Sequence, residues 1–151
     1  MPLHAARSVP SRSASSALIA GVYLVAGASA AALTRFEGGV AFLWCANAVL
    51  FAALAARCVR RWPEVVVPCW LAAIVGSGVC GVGWTWGWAM ATANVAEAVL
   101  AAALLRRWRV AGTGFGDGRD LTKFVLVAGL AAPLASGLPA AAVLAAASHA
   151  S

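Results

Sequence analysis

Apolar residues in this chain arrive in long blocks, and polar residues mark the gaps between them. The blocks run over residues 15–34, 40–56, 65–82, 84–105 and 121–147. A block near 20 residues is the length an α-helix needs to cross roughly 30 Å of hydrocarbon. The pattern therefore predicts an all-α integral membrane protein, a helical bundle of about five transmembrane helices. Residues 15–147 would form the membrane domain, between a polar cytoplasmic tail over 1–14 and a short tail over 148–151. A cleaved leader at the first block is disfavoured, because further spans follow it rather than a soluble domain.

Local signals refine this reading. Arg57, Arg60 and Arg61 close the second block, and Pro63 then marks a stop and restart. Pro68 is expected in the first turn of the third helix, where proline is tolerated. Gly76, Ser77, Gly78, Cys80, Gly81 and Gly83 crowd that helix's far end, and small residues there let a neighbouring backbone come close. Trp84, Trp86 and Trp88 repeat with a strand-like period of two, yet one helix end places all three at headgroup level. Trp44 is a similar anchor for the second span. The glycines at 112, 114, 116 and 118 lie in a stretch without the lysine and hydroxyl residue of a phosphate loop, so it reads as a connector. Pro133, Gly137 and Pro139 should kink or interrupt the last span.

The fourth block breaks the apolar rule in its middle. Asn94 and Glu97 are three residues apart, so a helix projects them from one side. An ionisable group at the centre of a span is costly, about 2.5–3.5 kcal/mol for Asp, Arg or Lys on insertion scales. Such a face must look at other helices or water rather than lipid. Asn94 and Glu97 are the main candidates for a ligand-binding or switch site, responding to a ligand or to protons; the plainer alternative is a clamp between two helices. Asn47 in the second block is a third candidate, for which a lone interhelical hydrogen bond is the favoured role.

Composition agrees with a membrane protein. Of 151 residues 63% are hydrophobic and only 11% charged, far from a soluble domain. The net charge of +6 is then no nucleic-acid signal, because the cations sit at block ends. Arg7, Arg12, Arg57, Arg60, Arg61, Arg106, Arg107, Arg109, Arg119 and Lys123 fall on one side, and Arg35 alone on the other. Ten against one places the N-terminus in the cytoplasm, and five spans would leave the C-terminus outside. Cys45, Cys58, Cys69 and Cys80 form no Cys-x-x-Cys, and the two histidines lie in the tails, so neither a metal site nor a disulfide framework is expected.

Several short elements carry a family resemblance. Ala93-Asn94-Val95-Ala96-Glu97-Ala98, followed by Leu100 to Arg107, resembles the Gly-Asn-Thr-x-Glu-Ala…Leu-Leu-Arg-Arg signature of the first MASE type. Arg60-Arg61-Trp62-Pro63 resembles its Arg-x-x-Trp-Pro element. Arg119-Asp120-Leu121-Thr122-Lys123-Phe124 resembles its Arg-Asp-x-x-Arg-Phe element, and Ala132-Pro133-Leu134-Ala135-Ser136 its Ala-Pro-Leu-x-Ser kink. Trp44 fits the start of a Trp-Pro-Pro-x-Gly run, from which Cys45-Ala46-Asn47 depart. The resemblance, over about residues 20–144, implies a bacterial membrane-associated sensor region in the plasma (inner) membrane. Such regions have eight spans and usually join a cytoplasmic histidine kinase or diguanylate cyclase. This sequence holds about five spans and no kinase or cyclase motif, which reads as a truncated relative, a fragment or a stand-alone piece.

The leading function is thus an integral membrane sensory domain of bacterial signal transduction. The alternative is a small transporter or carrier that uses the intramembrane Glu97. A third reading is a packing module without function of its own. An enzyme is not expected, since no nucleophile–base pair or phosphate loop is visible, and no cofactor is implied. Expected partners are membrane lipids and a signalling output protein, histidine kinase or diguanylate cyclase; a homo-oligomer stays open, and nucleic acid is not a partner.

Overall fold

A computed structural model describes residues 12–34, 45–79, 84–108, 118–138 and 141. Five helices carry it: α1 (Arg12–Thr34), α2 (Ala46–Ala55), α3 (Pro63–Val79), α4 (Trp84–Arg107) and α5 (Gly118–Leu126). A 3-10 turn, Val59–Arg61, joins α2 to α3. Past α5 the chain widens into a π-helical turn, Val127–Ala131, and continues as helix to residue 138. Among the described residues there is no strand. Three helical stretches are long and apolar enough to cross a membrane: Ser15–Leu33, Gly87–Arg107 and Gly118–Leu138. The expected all-α membrane bundle is what the chain forms.

Boundaries differ from the block limits in physically simple ways. The first helix begins at Arg12, inside the stretch assigned to the polar tail, because Arg and Ser are tolerated in an opening turn. The fourth runs on through Arg106 and Arg107, whose cations suit the negative end of a helix. Pro68 does not lie in a first turn. The helix starts at Pro63, so Pro68 is its sixth residue and stands inside it. Its missing N–H leaves the Glu64 carbonyl without a helical donor, yet the helix continues. The last block is helical from Gly118 to residue 138 without a gap, and its irregularity takes the form of the π turn. Trp44, the stretch 80–83 with Cys80, the connector 109–117, Pro139 and residues 142–151 lie outside the described residues.

The first four helices make a square. α1 packs against α2 and α3, and α4 packs against the same two, so α1 and α4 occupy opposite corners. Tyr23, Leu50, Leu54, Val65 and Cys69 fill the centre. From α4 come Ala91, Val95, Ala98 and Ala102, spaced so that they share one helical face. The outward positions are just as apolar: Leu18, Val25, Leu71, Val75 and Leu134 are all exposed. That inversion of the soluble pattern suits lipid as the surrounding solvent.

Small residues set the closest approaches. A Cβ added to Gly76 would stand 3.0 Å from Leu24 Cδ1 of α1, and one added to Gly78 would stand 2.9 Å from the ring of Trp84. The Gly76-Ser77-Gly78 run is therefore a packing surface in fact. At one end of the bundle a rigid turn follows α2. Trp62 is buried there and donates from Nε1 to the Leu54 carbonyl at 3.1 Å. Arg57 donates to Ser15 Oγ of α1 at 3.1 Å, and Arg106 of α4 donates to the Arg57 carbonyl at 2.7 Å. Three helices are tied at that end by two arginines.

Candidate functional site

The polar face of α4 meets the outermost helix. Glu97 is half-buried, and its Oε2 lies 3.3 Å from Ser136 Oγ. Ser136 belongs to the helical stretch 132–138 beyond the π turn. That turn has a local cause. Pro133 has no N–H, and its ring would clash with the carbonyl four residues back, at Gly129. The ladder yields just before it, and Ala132 N–H donates to the Val127 carbonyl across a five-residue interval. A second small core holds the stretch in place: Val127 and Ala132 pack with Ala101 and Leu105 of α4. Phe124 adds an edge contact to Phe51 of α2, with ring centres 5.7 Å apart at 64°.

The three sequence candidates meet different partners. Asn94 is half-buried beside Glu97 in sequence register, and its side chain makes no hydrogen bond among the described residues. Asn47 accepts a hydrogen bond from Tyr23 of α1, at 3.4 Å between Oη and Oδ1. No hydrogen bond among the described residues joins Asn47 to Asn94 or Glu97. Glu97 has no basic partner among the described residues either, and Asp120 pairs with Lys123 at 3.1 Å. The described residues also contain no group of three His, Cys, Asp or Glu side chains able to hold a metal ion.

Two participants escaped the reading of the sequence. Ser136 stood within the Pro133 element, but a lone serine in an apolar block gives no direction without its partner. Thr92 is the second such residue. Its hydroxyl accepts from Trp70 Nε1 at 3.0 Å and donates to the Trp88 carbonyl at 2.8 Å, joining α3 to α4 two residues before Asn94. The signal that would have found both is the same: a small hydroxyl residue in an apolar span needs a partner.

This arrangement offers one titratable group held between two helices, with a hydroxyl as its neighbour. The MASE1 family model matches residues 15–151, most of the chain. No curated protein matches the sequence, and no solved structure does.

Proposed function

The chain belongs to the MASE1 family, membrane-associated sensor domains of signalling proteins, and on that premise we propose that it senses through the α4 face carrying Asn94 and Glu97. Residues 15–147 act as the membrane-spanning sensor unit, between the tails 1–14 and 148–151. It sits multi-pass in a bacterial plasma membrane with its N-terminus in the cytoplasm, where ten of its eleven basic residues gather. It performs no catalysis itself and passes its state to a histidine kinase or diguanylate cyclase.

The supporting observation is the Ser136–Glu97 contact. It links the four-helix square to a peripheral helix through the ionisable side chain of α4's apolar middle. A stimulus that binds one arrangement of these helices better than another shifts the population toward it. Asn47, bonded to Tyr23 at the other side of the square, supports the bundle rather than senses.

The test is Glu97→Gln in a chimera carrying a kinase or cyclase output. The proposal expects an altered basal or stimulated output; an unchanged response to every stimulus counts against it. Glu97-dependent ion flux in proteoliposomes would instead move the assignment to a carrier.

A further inference from the structure

Ser136 Oγ has three acceptors within reach: Glu97 Oε2 at 3.3 Å, the Ala132 carbonyl at 3.1 Å and the Pro133 carbonyl at 3.3 Å. A hydroxyl has one proton to give. An ionised Glu97 only accepts, so the hydroxyl turns to α4. A neutral Glu97 carries its own O–H, donates it to Ser136 Oγ, and frees the serine proton for the carbonyls of its own helix. The protonation state of one carboxyl group thus decides where Ser136 bonds.

That choice falls on the weakest point of the last helix. A serine bonding back to the carbonyl four residues earlier bends a helix. Here the carbonyl belongs to Ala132, the residue whose N–H closes the π turn, and Pro133 follows at once. Single π turns inside helices occur frequently at functional sites. The outer helix contacts α4 and, through Phe124, α2, while α1–α4 pack among themselves. The stretch 132–138 can therefore re-aim without unpacking the square.

We propose that Glu97 and Ser136 form a proton-binding site, and that uptake of one proton re-aims residues 132–138 against α4. This rests on the sensory reading above and names its stimulus. The proton comes from water and neutralises the carboxylate; the Ser136 O–H bond stays intact and only turns. A larger ligand would have to separate two groups already in contact. A divalent metal would find one carboxylate, too few hard ligands for a site of its own.

Other ionisable groups on the elements around α4 are few. α2 has none, and Arg57 after it is engaged with Ser15 and the Ala53 carbonyl. α3 carries Cys69 and, at its exposed start, Glu64. α5 carries Arg119, Asp120 and Lys123, the last two paired, before the π turn. On α4 itself Arg106 and Arg107 lie nine and ten residues beyond Glu97, roughly 13–15 Å along the axis.

The experiment uses the full chain in nanodiscs, with its four cysteines replaced by alanine and spin labels at exposed positions. Leu121→Cys with Leu138→Cys reports the bend, and Leu100→Cys with Leu138→Cys reports docking on α4. Across a full pH titration the label distances should shift by about 2 Å, the scale of helix shifts in switching proteins. Glu97→Gln should hold one distance at every pH, and Ser136→Ala should remove the shift. Distances that do not change with pH in the chain with both residues intact overturn the proposal. So does a shift that survives in Glu97→Gln, or one that follows sodium against choline at fixed pH. The readout is geometric, so a moving helix with a silent chimera sinks only the sensory reading, and a still helix with a Glu97-dependent chimera sinks only the proton site.

Discussion

A Cβ placed on Gly87 would stand 3.0 Å from Ser77 Cβ, with the Gly78 nitrogen at 3.7 Å and the Ile74 carbonyl at 3.8 Å behind it. α4 and α3 are that close because neither presents a large side chain at the crossing. In lipid, close van der Waals packing does what hydrophobic burial does in water.

Gly87→Val should therefore destabilise the bundle by about 1–3 kcal/mol, the cost of overpacking a filled site. Gly21→Val is the matched control. It puts the same β-branched residue into a helix where nothing lies within 4 Å, so it carries only the propensity change. Denaturant titration in detergent, followed by far-UV circular dichroism, compares them. Equal losses for the two variants would argue that the crossing is not tight.

Tyr23 and Asn47 join α1 to α2 through one side-chain hydrogen bond. Interhelical bonds in membranes average about 0.6 kcal/mol in double-mutant cycles. A cycle of Tyr23→Phe and Asn47→Ala should return a coupling of that order, while a chimera carrying Asn47→Ala keeps its response. A response lost along with Asn47 would return this residue to the switch.

Cys58 is exposed and stands next to Arg57, at the end of the bundle that gathers Arg60, Arg61, Arg106 and Arg107. With the other cysteines replaced, an impermeant maleimide should label it in inverted membrane vesicles and not in intact spheroplasts. Labelling from outside would reverse the orientation drawn from the charges.

Trp62 is buried and its indole donates to the Leu54 carbonyl, fixing the turn between α2 and α3. Trp62→Phe keeps most of the apolar contact and removes one of two donors to that carbonyl, which still accepts from the Arg57 backbone N–H at 3.2 Å, so the expected loss is that of one hydrogen bond, about 0.5–1.5 kcal/mol. The same denaturant titration measures it. A loss below about 0.5 kcal/mol, the range of ordinary surface changes, would mean that the turn is held by its arginines.

The chain's sequence by itself determined the class of solvent, the helices and the odd residues within them. Blocks of spanning length demand helices, because a backbone in hydrocarbon must satisfy its own hydrogen bonds. Asn94 and Glu97 were legible because polarity stands out against such a background. What the sequence could not say is which face of each helix turns inward. Leu71 and Val75 face out while Ala73 and Ser77 face in, and hydrophobicity does not separate them when lipid is as apolar as the core. Only the tertiary structure decided that, by fitting small residues to neighbouring backbones, and with it the pairing of Tyr23 with Asn47 and of Ser136 with Glu97. Those partners lie 24 and 39 residues apart, and no local period connects them.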